Sequence, residues 1–359
     1  MTFRIMNPSF VAKHTVLFIV MLILPIIVGQ MFGNAWVRTL DFALLYIMLA
    51  LGLNIVVGFA GLLDLGFVAF YAVGAYTYAL LSSPHFGLHL PFYITIPLGA
   101  VFAALFGLML GTPVLKLKGD YLAIVTLGFG EIIRIFMNNL NAPVNITNGP
   151  QGITGIDPIT FGGFSLGTPI KLFGQSFPKM YAYYYLFLFL VIGVIIMGFR
   201  LQYSRIGRAW VAMREDDIAA AAMGINVRNM KLLAFALGAL SGGIAGGLFS
   251  ALQGFVSPES FGLMESIMIL AMVVLGGMGN IWGVILGAVV LTFLPELLRE
   301  VSDPVQQMIF GKTLLEKDNL RMLLLGLTLV AMMLLRPSGM LPSRRRKAEF
   351  HNVSQGASS

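Results

Sequence analysis

The feature that most constrains this chain is a series of unbroken apolar runs, each long enough to cross a lipid bilayer. Spanning the hydrocarbon takes roughly 20 mostly apolar residues in a helix. Ten such runs are read along the chain: Thr15–Gly33, Leu40–Val57, Leu62–Leu81, Pro91–Thr112, Tyr121–Met137, Tyr181–Arg200, Met230–Gln253, Met264–Met278, Ile281–Leu298 and Arg321–Leu335. None alternates with the period of two that a membrane barrel strand needs, so the runs predict helices. The eighth and ninth are divided only by Gly276-Gly277-Met278-Gly279-Asn280. The first is longer than a signal-peptide core and lacks a small-residue cleavage site, so it is expected to be retained.

Composition agrees. Of 359 residues 58 % are apolar, while only 23 are Lys or Arg and 16 are Asp or Glu. A soluble domain carries about 25 % charged residues. So much apolar surface under so little charge excludes a soluble enzyme, a disordered tail and a nucleic-acid-binding domain. With no cysteine, a disulfide scaffold, thiolate metal sites and cysteine nucleophiles are excluded too. The expected fold class is an all-α membrane protein of about ten transmembrane helices.

Positive charge orients the chain. With the N-terminus inside, 15 of the Lys and Arg residues fall on the cytoplasmic side and eight on the other. This bias predicts both termini in the cytoplasm. It leaves a transmembrane body over residues 1–340, a long outer loop over 138–180, a cytoplasmic loop over 201–229 and a basic, polar tail over 341–359. The Arg344-Arg345-Arg346-Lys347 run in that tail suits anionic lipid headgroups.

Small residues recur at helical spacing. Gly238, Gly242 and Gly246 stand four apart, as do Gly279, Gly283 and Gly287. Such stripes let helix backbones approach closely in lipid; they serve either fixed packing or faces that slide. Glu131 and Arg134, three apart near the outer end of the fifth span, are placed to pair on one helix face, as a structural ion pair or as path or gate groups. Asn54, Asp64 and Glu265 lie near span ends, where snorkelling to water is expected.

Two apparent motifs carry no chemistry. Gly311-Lys312-Thr313 resembles the tail of a phosphate-binding loop, but Gln306 occupies the position of the required first glycine. His85 and His89 have helical ligand spacing, yet they flank Gly87 between Pro84 and Pro91, so no metal site is predicted. Nothing suggests a catalytic constellation.

The 201–229 loop is the most informative segment. Glu215, Asp216 and Asp217 load the start of an Ala-rich stretch with negative charge, as a helix N-terminus favours, and Gly224 supplies a stop. A helix of about ten residues is therefore expected to project into the cytoplasm. Its acidic start argues against lying on anionic lipid.

Glu215-Asp216-Asp217-Ile218-Ala219-Ala220 followed by Gly224 resembles the Glu-Ala-Ala loop of ABC importer permeases, which enters a cleft on the ATPase subunit. It departs from that pattern by carrying acids after the Glu. Three further stretches narrow the match: Leu65 to Tyr76 (LGFVAFYAVGAY), Gly119 to Arg134 (GDYLAIVTLGFGEIIR) and Asn148 to Ile156 (NGPQGITGI). Together, over roughly residues 40–340, they resemble the M-type permeases of branched-chain amino acid ABC importers.

This resemblance implies a ten-helix bundle similar to the vitamin B12-type (type II) importer permeases, multi-pass in a bacterial inner membrane. Its partners would be a homologous second permease, two cytoplasmic ATPase subunits that bind ATP and Mg, and a periplasmic amino-acid-binding protein. The chain itself would hold no cofactor. Arg214, Glu215, Asp216, Ala219, Ala220 and Gly224 would couple it to the ATPase. Gly149, Pro150, Gly152 and Gly155 would lie in the outer loop facing the binding protein. Two other readings compete: a urea or short-amide permease of the same build, against which Gly128-Phe129-Gly130-Glu131 weighs, and an ion-coupled carrier. The latter class uses broken helices and midplane ionisable groups, whereas the acids here are expected at span ends.

Overall fold

The computed structural model describes residues 8–114, 117, 119–161, 164–172, 175–310, 326, 327, 330, 334 and 339–341. Most of the tenth predicted span, Arg321–Leu335, and all of the Gly311-Lys312-Thr313 sequence and the Arg344–Lys347 run lie outside the described residues.

Eleven α-helices are seen among the described residues: α1 (Pro8–Met31), α2 (Asn34–Leu53), α3 (Val68–Leu81), α4 (Phe92–Val114), α5 (Asp120–Asn139), α6 (Lys179–Gln202), α7 (Arg205–Glu215), α8 (Asp217–Ala222), α9 (Val227–Gln253), α10 (Leu263–Gly276) and α11 (Ile281–Phe310). Among the described residues, five segments are long and apolar enough to cross a membrane: Asn34–Phe59, Phe92–Val114, Lys179–Gln202, Val227–Gln253 and Pro258–Gly276. Val20–Met31, Val68–Leu81 and Ile281–Leu297 are shorter apolar helices. The fold is all-α in its apolar body, as expected, and the break between the eighth and ninth runs falls at Gly277–Asn280.

Helix α2 is the central pillar, packed against α1, α6, α9, α10 and α11. Beside it α3, α4 and α9 form a tight trio. The glycine stripes explain this. A Cβ added at Gly74 of α3 would overlap the Gly243 carbonyl of α9, and one added at Gly246 would overlap the Tyr71 carbonyl. Backbones this close gain dispersion contacts that larger side chains would prevent. The stripe therefore serves packing in this structure. Gly283 and Gly287 bring α11 against α10 in the same way.

One span is not the continuous helix that its hydropathy predicts. The third run, Leu62–Leu81, becomes helical only at Val68. Before it, α2 ends in a wider π-helical turn over Asn54–Phe59, and residues 60–67 are irregular. Such backbone survives among apolar helices only where its polar groups find partners. Here Leu65 N donates to Thr126 Oγ1 (3.0 Å), Gly66 N donates to Asp64 Oδ1 (2.8 Å), and Leu65 O accepts from Ser266 Oγ (2.5 Å). The eighth predicted run, Met264–Met278, is continuous as α10, which a 3₁₀ turn at Pro258–Phe261 precedes.

The 138–180 loop is built from short antiparallel ladders. Within it β2 (Thr160–Phe161) pairs with β3 (Phe164–Ser165), and β4 (Ile170–Leu172) with β5 (Gln175–Phe177). A further strand, β1 (Ile153–Thr154), pairs with β6 (Phe255–Val256), which follows α9.

Candidate functional site

At the end predicted to face the cytoplasm, α7 and α8 form a knob. Ser204 Oγ accepts from Gly207 N (3.1 Å) and starts α7. Asp216 Oδ1 accepts from Ile218 N (2.7 Å) and Ala219 N (3.0 Å) and starts α8. An N-cap residue has extended backbone, and Asp216 has φ −155°. This corrects the expectation of one ten-residue helix beginning with three acids. Glu215 ends α7, Asp216 is the cap, and Asp217 alone stands in the first turn of a six-residue α8. An Asp before an apolar stretch was the available signal.

The knob is fastened to the bundle at four points. Trp210 is fully buried and its Nε1 donates to Met230 O (2.8 Å). Asp217 Oδ2 pairs with Lys231 Nζ of α9 (2.7 Å), and Lys231 is itself buried. Ala220 is buried. Arg214 Nη1 donates to Gly58 O (2.7 Å) in the π-helical turn. That turn is tied in its own right to the α10–α11 connection, because Asn54 Oδ1 accepts from Gly279 N (2.8 Å). The knob thus reaches the ends of α2, α9 and α10 together. Its tip points outward: Ile218 is 75 % and Met223 84 % exposed, and Ala219 and Gly224 are exposed beside them. Trp210, Lys231 and Gly58 are anchoring residues that no spacing rule singled out.

At the opposite end the Glu131–Arg134 pair is present, with Arg134 Nη2 2.5 Å from Glu131 Oε1. It is not confined to one helix. Arg134 Nη1 also lies 3.0 Å from both oxygens of Glu259, in the 3₁₀ turn before α10, and Asn138 Nδ2 donates to Glu259 (3.2 Å). One guanidinium therefore joins α5 to the turn that leads into α10. Glu259, 125 residues away in sequence, was invisible to helical spacing.

The outer loop folds back onto this cluster. Thr147 Oγ1 donates to Met137 O (2.6 Å) and Asn148 Nδ2 to Gly152 O (2.8 Å). Gly149 and Gly152 are buried in the loop, whereas Pro150 and Gly155 are exposed. Gly152 has φ +70°, and a Cβ there would overlap the Val256 carbonyl, so only glycine lets β1 meet β6. His85 and His89 turn to different partners, Asn145 O (3.2 Å) and Asp157 Oδ2 (2.5 Å). No group of three potential ligands stands together among the described residues.

Between the two ends the polar residues expected to snorkel do not. Asn54 and Asp64 are buried, and Glu265 is half-buried, accepting a short hydrogen bond from Tyr46 Oη. Tyr46 lies twelve residues beyond Asn34 in α2, about 18 Å along the helix at ~1.5 Å per residue. That is near the middle of the span. The sequence places Glu265 at a helix end correctly, but that end, the first turn of α10, sits against the middle of the α2 span. An interrupted third span and one acid near mid-span are thus both present, and their expected absence does not argue against a carrier.

The comparisons with known proteins decide between these readings at the level of family. Residues 35–333 match the family described as branched-chain amino acid transport system / permease component. The high-affinity branched-chain amino acid transport system permease protein LivM of Escherichia coli K12 is 40 % identical over 352 residues, covering 95 % of this chain and 78 % of that protein. The Salmonella typhimurium LivM is 41 % identical over 345 residues, 93 % of this chain and 76 % of that one. The E. coli K12 permease protein LivH is 26 % identical over 255 residues, 68 % of this chain and 79 % of its own. No solved structure matches. A multi-pass apolar bundle, a capped knob at one end and matches over almost the whole length agree: this chain belongs to the branched-chain amino acid transport permease family.

Proposed function

We propose that the chain is the M-type permease of an ATP-driven importer of branched-chain amino acids in a bacterial inner membrane. It has ten spans, resembles the vitamin B12-type permeases, and has both termini in the cytoplasm. It performs no catalysis and holds no cofactor. Two ATPase subunits bind ATP and Mg and act on α8. A second, homologous permease completes the path, and a periplasmic binding protein delivers the amino acid to the outer loop around Pro150 and Gly155. The observation that carries this reading is the build of the knob. Its tip, Ile218, Ala219 and Met223, is open for a partner, while Arg214 and the Asp217–Lys231 pair hold its base to the turn that ends α2 and to α9. A rigid-body displacement of α8 would therefore reach Gly58 and Gly279, where α2 and α10 end.

The test is Glu215→Lys combined with Asp216→Asn, because asparagine also caps helices and spares α8. The double variant is expected to insert normally while amino-acid uptake falls by about tenfold or more. Unchanged uptake sinks the lever role. Mild-detergent extraction of the unaltered complex should bring two ATP-binding polypeptides along. The Glu265 carboxylate near mid-span and the irregular 60–67 segment keep an ion-coupled carrier as the second reading. Accumulation by the purified chain alone in vesicles under a proton or sodium gradient would select it. A urea or short-amide cargo would show as uptake of those solutes in preference to leucine.

A further inference from the structure

On that importer reading, we propose that Glu265 is the group in the path that receives the ammonium of the passing amino acid. The first observation is the depth and isolation of its carboxylate. It accepts from Tyr46 Oη halfway along α2, and among the described residues it has no other hydrogen-bond partner and no ion-pair partner. An unpaired carboxylate at this depth is costly and marks a route for a polar solute or a contact with a cation. An amide or a hydroxyl would accept the Tyr46 proton without that cost, so packing alone does not call for a charge.

The second observation is where Glu265 stands. Its neighbours Leu263, Met264 and Ile267 are exposed large apolar side chains, as are Ile124, Val125, Ile132 and Phe136 on α5. The residue is therefore an acid set in an open apolar wall. An apolar side chain would slide along such a wall, while the charged end of the same molecule needs an anion. The third observation is the backbone around it. Ser266, the next residue, bonds Leu65 O in the irregular 60–67 segment, and Phe261 packs on Tyr71 of α3 at 5.2 Å. The irregular 60–67 segment and the start of α10 meet beside Glu265, and helix interruptions of this kind leave room for a solute inside a helical bundle. Outside it, the Glu131–Arg134–Glu259 cluster carries one more negative than positive charge, which would draw an ammonium inward.

The experiment uses the complete importer in vesicles, loaded with leucine-bound binding protein. Three readings are taken: leucine uptake, binding-protein-stimulated ATP hydrolysis, and co-elution of all subunits. Glu265→Gln is expected to lower uptake by about tenfold or more while hydrolysis stays within about twofold. Glu265→Asp should recover part of the uptake, and Tyr46→Phe, which keeps the carboxylate, should lose only about twofold to threefold. Uptake by Glu265→Gln within about twofold of the unaltered complex overturns the proposal. It is overturned equally if Glu265→Gln releases the second permease, since the carboxylate then pairs with that subunit. Joint loss of hydrolysis and co-elution without rescue by Glu265→Asp makes its role structural. If the unaltered complex moves no amino acid, the importer reading itself fails, and this proposal with it.

Discussion

The α3–α4–α9 trio and the α5–α10 face are both built from apolar helices, yet they are opposite kinds of surface. In the trio, glycine and alanine bring backbones into contact, and Tyr78, Phe67, Phe70 and Phe235 are fully buried around them. On the α5–α10 face, Ile124, Ile132, Phe136 and Met264 stand exposed and Gly128 has nothing within 4 Å of where a Cβ would be. The contrast separates two uses of the same composition. Small residues in register close a scaffold, and large residues without neighbours leave a surface for something outside the chain.

Three substitutions probe that contrast, beginning with the largest effect. Gly74→Leu would force α3 off α9 against backbone rather than side chains, and should cost about 3 kcal/mol or more. Size exclusion of detergent-extracted protein should show loss of the monodisperse species, and a normal profile would refute the scaffold assignment. Arg134→Gln releases Glu131 and Glu259 from their shared cation. At this partly exposed site the loss should be about 1 kcal/mol, seen as a lower melting midpoint and faster proteolysis near the Pro258–Phe261 turn. Gly128→Ala should leave the isolated chain unchanged or stabilise it by up to about 1 kcal/mol, since alanine is the better helix former. Loss of co-purifying second permease in that variant would show that this open face is the contact between the two subunits.

The apolar runs alone determined that the chain is a helical membrane protein, because a backbone in lipid has few ways to satisfy its polar groups. The stripes at Gly238–Gly246 and the Glu131–Arg134 spacing were equally legible, since both depend on neighbours one helical turn away. So was the position of the knob, though not its division at Asp216, where a cap and three consecutive acids read alike. Tertiary structure decided the rest. Hydropathy runs smoothly through Leu62–Leu81, and nothing local announces that residues 60–67 would exchange helical hydrogen bonds for Thr126 and Ser266. For the same reason Asp64 and Glu265 look like residues at the water line. Where every helix face is apolar, distance from water is set by which backbones can touch, and that depends on residues more than a hundred positions apart.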